Sequence, residues 1–105
     1  MPYLPKSPDL AAYQAYVAEL ENERGFKKQS VLDKCLLLGE EVGELFKAIR
    51  QAEGLNIDNH SRYSEVAHEL ADILIYICAI ANRYQVDLEN AFRDKEAINK
   101  RRKWE

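Results

Sequence analysis

The stretch Leu38–Leu45 constrains this chain most. It sets three carboxylates, Glu40, Glu41 and Glu44, inside an otherwise apolar helical pattern. Val31, Cys35, Leu38, Val42, Leu45 and Ile49 recur at alternating four- and three-residue spacings, which marks one stripe of an amphipathic helix. Glu41 and Glu44 stand one above the other on the flank of that stripe. Like charges so placed cost a helix ~0.2–0.5 kcal/mol, and the nearest basic residue, Lys47, cannot neutralise all three. A second stretch, Glu65 to Tyr76, repeats the arrangement. At ~100° per residue, Glu65, Glu69, Asp72 and Tyr76 share one face, and Val66, Leu70, Ile73, Leu74 and Ile77 share another. Two helices packed about 8–10 Å apart can aim Glu41 and Glu44 at the same point as Glu69 and Asp72. Carboxylates that converge repel unless a cation lies between them. An all-oxygen ligand set suits Mg²⁺, Mn²⁺ or Ca²⁺ rather than Zn²⁺.

The expected fold is all-α: four helices in a single domain spanning residues 1–105, with residues 1–7 as an extended N-terminal arm. Ser7 is expected to cap the first helix with Pro8 at its first position. That helix runs to about Asn22 on Leu10, Tyr13, Val17 and Leu20, and Gly25 ends it. Ser30 caps the second helix, which runs to Glu53 and stops at Gly54. Gly54 to Ser61 reads as a loop, the third helix runs from about Arg62 to Tyr84, and Asp87 caps a fourth that reaches about Lys103. Gly39 and Gly43 cost the second helix ~1 kcal/mol each relative to Ala. Their side of the helix, away from Glu41 and Glu44, is expected to receive another helix at close range.

Composition narrows the function. The net charge is −3, from 15 basic and 18 acidic residues, which argues against non-specific nucleic-acid binding. The charge is uneven: Arg93 to Glu105 holds six basic and three acidic side chains. A basic end beside an acidic cluster suits an anionic ligand that arrives with a divalent metal. There is no signal-peptide pattern and no apolar run long enough to span a membrane. Cys35 and Cys78 lie in apolar contexts and read as reduced core cysteines of a cytoplasmic protein. A chain this short buries a limited core, so a homodimer or homotetramer with the second and third helices near the interface is expected.

Three further groups carry possible chemistry. Tyr76 lies one turn past Asp72 on the carboxylate face, where an aromatic ring can stack on a base or simply serve as a core or interface tyrosine. Lys95, Asn99 and Arg102 share a face of the fourth helix, where they can hold phosphate oxygens or a base edge or form a solvated basic face. Glu65-x-x-His68 resembles half of a di-iron bundle site, but such sites use two Glu-x-x-His pairs and only one is present; His60 has Ile57 three residues before it.

The chain resembles the MazG-like, all-α nucleoside triphosphate pyrophosphohydrolases. Their hallmark is EExxE followed by ExxD, here Glu40-Glu41-x-x-Glu44 and Glu69-x-x-Asp72. Part of the family also carries KxxxNxxRxW near the C-terminus, met here by Lys95, Asn99, Arg102 and Trp104. The resemblance implies Mg²⁺-dependent hydrolysis, with Mn²⁺ as a possible substitute, of a nucleoside triphosphate to the monophosphate and pyrophosphate, in the cleaning or control of nucleotide pools. It implies that Glu41, Glu44, Glu69 and Asp72 ligate the metal. Glu40 would bind a further metal or position the attacking water, and Lys95, Asn99 and Arg102 would contact the nucleotide. It also implies dimers or tetramers whose pocket is shaped by helices from two subunits. Relatives that favour deoxycytidine nucleotides tend to carry tryptophans before the second helix and after EExxE. Gly25-Phe26 and Phe46-Lys47 stand there instead. A related family acts on phosphoribosyl-ATP, and nothing in this sequence favours that substrate. The alternative from another class is a non-catalytic helical module that binds nucleotides or a protein, which would have no need of five convergent carboxylates.

Overall fold

Short polar side chains take up the first free backbone N–H groups at three helix starts. In the computed structural model, which describes residues 2–54 and 59–102 and, over 59–64, the backbone alone, the elements are α1 (Leu10–Glu23), a 3-10 turn (Phe26–Lys28), α2 (Val31–Gly54), α3 (Asn59–Arg83) and α4 (Leu88–Arg101). No strand occurs among the described residues, so the all-α expectation holds. Ser30 and Asp33 form a reciprocal box at the start of α2. The Asp33 N–H donates to Ser30 Oγ at 3.0 Å and the Ser30 N–H to Asp33 Oδ2 at 3.1 Å. Asp87 caps α4 by accepting from the Asn90 N–H at 3.1 Å. Gly25 lies just past α1 with φ +75°, the left-handed position that favours glycine.

The cap of α1 is Asp9, not Ser7. Asp9 Oδ1 accepts from the Ala12 N–H at 2.8 Å, while Pro8 precedes the cap and Ser7 takes φ +50°. A carboxylate suits this end better than a hydroxyl because the helix dipole favours negative charge there. The third helix begins at Asn59, earlier than the expected Arg62, so Asn59 to Ser61 are helical; residues 55–58 of the expected loop lie outside the described residues. The expected end of the fourth helix at Lys103 also lies outside them. Arg102 already has extended geometry as the cap of α4.

The phase of α2 differs from the expected stripe. Cys35 is exposed and Ile49 is 43% exposed, while Lys34 and Ala48 are buried. The inward face runs Lys34, Leu38, Glu41, Leu45 and Ala48, turned by about 60° at ~100° per residue. That turn brings Glu41 inward. Cys35 is therefore not a core cysteine; Cys78 is, with no exposed surface.

α2 and α3 make the largest contact, α1 packs on α3, and α4 packs chiefly on α1. The small core joins Val17 and Leu20 of α1 to Cys78 and Ala79 of α3. Gln14 sets the α3–α4 turn: its side-chain amide donates to Val86 O at 2.7 Å, its Oε1 accepts from the Leu88 N–H at 3.0 Å, and Asn82 donates back to Gln14 O at 2.9 Å. Large apolar side chains remain outside, among them Leu32 (76% exposed), Leu36 (72%) and Phe46 (67%) on the outer side of α2. The radius of gyration is 16.3 Å, against about 13 Å for a compact chain of this length.

Candidate metal and nucleotide site

Glu41 on α2 and Glu69 and Asp72 on α3 meet at the seam between the two helices. One carboxylate oxygen from each lies within 4.8 Å of the others. The expectation that two acidic helix flanks aim at one point therefore holds for these three. The Glu41 carboxyl is pushed from 4.5 up to about 7. Its hydrogen bond to Glu69 is the chief cause, followed by burial and by the charges of Asp72, Glu69 and Glu44. Without a cation, the cluster relieves its repulsion by holding a proton. Glu69 Oε2 is buried without a hydrogen-bond partner. A carboxylate cluster that leaves one buried oxygen without a partner fits a hard divalent cation, which would supply it.

The remaining expected acids flank this group. Glu44 is exposed and stands outside the three-oxygen group; with Lys47, Glu65 and Glu69 it lines a polar surface depression. Glu40 is exposed, and its charge reaches Tyr76. Burial, then the charges of Glu41, Asp72 and Glu40, push the Tyr76 phenol up, which places that ring beside the carboxylates. His68 is exposed.

Beyond Asp72 and Tyr76 the seam opens into a cavity of about 180 Å³ between α1, the 3-10 turn, α2 and α3. The sequence reasoning missed its principal groups. Lys34 Nζ is 2.7 Å from Glu21 Oε2, with both side chains almost wholly buried. Lys34 Nζ also lies 5.0 Å from the Phe26 ring centre and 5.8 Å from that of Tyr76. The signal was the phase of α2: once Glu41 is inward, Lys34 falls on the same line.

The basic face is separate. Lys95 is exposed, Asn99 donates to Glu96 Oε2 at 2.9 Å, and the Arg102 N–H donates to Asn99 O at 3.1 Å. All three ride on α4, which packs on α1 rather than on the α2–α3 seam. Trp104 lies outside the described residues. Among the described residues, no helix is long and apolar enough to cross a membrane.

No curated protein matches the chain. The family profile of the MazG nucleotide pyrophosphohydrolase domain matches residues 29–104. Those residues begin one position before Ser30, the cap of α2, and contain the whole carboxylate seam and α4, and on this match the chain belongs to the MazG nucleotide pyrophosphohydrolase family.

Proposed function

We propose that the protein is a Mg²⁺-dependent nucleoside triphosphate pyrophosphohydrolase that directs water to the α-phosphorus and releases the monophosphate and pyrophosphate. The observation that carries this reading is the convergence of one carboxylate oxygen each from Glu41, Glu69 and Asp72 within 4.8 Å, with Glu69 Oε2 buried and without a hydrogen-bond partner, in a chain of this family. Glu41, Glu69 and Asp72 hold the ion, with Glu44 joining from the edge. A bound divalent ion would neutralise phosphate charge and acidify water. Glu40, exposed beside the cluster, accepts a proton from the attacking water or orients it. Tyr76 presents its ring to the base. Lys95, Asn99 and Arg102 bind the remaining phosphates as point charge, amide and fork.

Because α4 lies on α1, these last residues reach a carboxylate seam by assembly: α4 of one copy completes the site of another in a homodimer or homotetramer. The open radius of gyration and the apolar outer side of α2 support that arrangement.

The test is hydrolysis in ¹⁸O-water with Mg²⁺ and a panel of triphosphates, both products being analysed by mass spectrometry. Equal amounts of monophosphate and pyrophosphate, with label in the monophosphate, are expected. Label in the pyrophosphate, or accumulating diphosphate, would mean attack at another phosphorus. Absence of turnover across the panel would leave the non-catalytic module as the better reading.

A further inference from the structure

The apolar side chains of α2 and its buried face do not point the same way. Val31, Cys35, Leu38, Val42, Leu45 and Ile49 form the sequence's own stripe, yet Cys35 is exposed and Ile49 is 43% exposed. The helix is turned by about 60° from the setting that its hydrophobicity favours, at ~100° per residue. A charged residue, Lys34, takes an inward place and is 2% exposed. Burial of apolar surface does not account for this phase, so another interaction holds it.

Among the described residues, the buried charged ones are Lys34 and Glu21, and they face each other. Glu21 Oε2 has no directed hydrogen bond and is held by charge, with Lys34 Nζ at 2.7 Å and the Arg83 guanidinium at 3.6 Å. Arg83 also donates to Gln29 O at 2.6 Å and Phe26 O at 3.1 Å, which ties the segment leading into α2 to the end of α3. That tie locates the start of α2 without fixing its rotation about the helix axis. A turn of about 60° carries a side-chain tip about 5–6 Å, the radius of a helix with its side chains. Such a turn would part Lys34 from Glu21 and leave a buried carboxylate with the more distant Arg83 alone, which is strongly unfavourable for a charge out of water.

We infer that the Glu21–Lys34 pair sets the rotational phase of α2 and thereby holds Glu41 at the carboxylate seam. Lys34, Leu38 and Glu41 follow one line along the helix, so fixing the first places the last, two turns further on. Buried ion pairs add little net stability, and specifying register is their best-attested use. Lys34 is a positioning residue: it acts through Glu41 rather than on the ion. The inference rests on the metal reading of the seam for one of its two readouts; the other, the phase itself, does not need it.

The experiment replaces the pair by Glu21→Gln/Lys34→Met, which removes both buried charges together. NMR contacts within one copy, read in a mixture of labelled and unlabelled chains, report the phase. In the wild type Glu41 and Ala48 should face α3. In the double variant Val42 and Ile49 should take over those contacts, with helicity by circular dichroism unchanged. Mn²⁺ affinity, measured by electron paramagnetic resonance, should fall at least about tenfold. Lys34→Arg, which keeps the pair, should keep the wild-type contacts and affinity. Glu21→Leu/Lys34→Leu repeats the test with apolar groups should the first variant fold poorly. Wild-type contacts in a folded double variant overturn the inference. So does a general loss of packing in both double variants, because the pair would then serve stability rather than phase. If α2 turns while Mn²⁺ binding is unchanged, or the wild type binds no Mn²⁺, the phase role stands and the metal reading of Glu41 falls.

Discussion

Glu41 donates a hydrogen bond to Glu69 across the α2–α3 seam, and the contact keeps a proton on Glu41 up to about pH 7. An isolated carboxyl would have lost it near 4.5. The pair therefore links protonation, cation binding and stability at one place.

With metal removed, stability should fall as pH rises. The folded state binds the Glu41 proton more tightly than the unfolded chain, so this group's contribution is complete below about 4.5 and is lost as pH passes 7. The thermal midpoint in chelator should decline from about pH 5 to 8, and Glu41→Gln should flatten that decline. A wild-type midpoint that rises across the interval would contradict the shared proton.

Adding Mg²⁺ or Mn²⁺ should reverse the trend. The ion competes with the proton, so its effect grows as pH approaches 7 and then levels off. If only the folded state binds, a hundredfold excess over the dissociation constant adds about 2.7 kcal/mol. Calorimetry with and without chelator measures it. An undiminished shift in Glu69→Gln/Asp72→Asn would remove these residues from the site.

What was legible in the sequence was local. Ser30, Asp87 and Gly25 announced their helix ends because capping depends on a few neighbouring residues. Ser7 misled because two polar residues flank Pro8 and either can cap; the backbone chose Asp9. The carboxylate spacing was legible too, since residues three apart must share a helix flank. The phase of α2 was harder. Its outer side is as apolar as its inner one, with Leu32, Leu36 and Phe46 opposite Leu38, Leu45 and Ala48. Hydrophobicity alone could not say that Glu41 and Lys34 lie inward. The pairing of Lys34 with Glu21 joins two helices through tertiary packing, and no periodicity encodes it.

Gly39 and Gly43 give the outer side of α2 a testable role. A Cβ built at either position meets nothing within 4 Å in the described structure. Within one copy, Gly39→Ala and Gly43→Ala should each stabilise α2 by up to ~1 kcal/mol. If a second copy packs against Leu32, Leu36 and Phe46, the added methyl groups obstruct that approach. The double variant should then dissociate at higher concentration while each subunit keeps its helicity. Light scattering and circular dichroism over a dilution series separate the two effects. A wild-type chain that stays monomeric at micromolar concentration would sink the assembly.

Subunit complementation tests how the basic face reaches the carboxylates. Lys95 and Arg102 ride on α4, which packs on α1, whereas Glu41 lies on the α2–α3 seam. If one copy's α4 serves another copy's seam, Glu41→Gln and Lys95→Ala/Arg102→Ala damage different halves of each site. Either variant alone should be nearly inactive. Mixed in equal amounts and allowed to exchange as dimers, half the assemblies pair one of each, and one of the two sites in such a pair is intact. Activity should return to about a quarter of wild type. If α4 serves the seam of its own chain, every site in the mixed dimer keeps one lesion, and the mixture stays as inactive as its components.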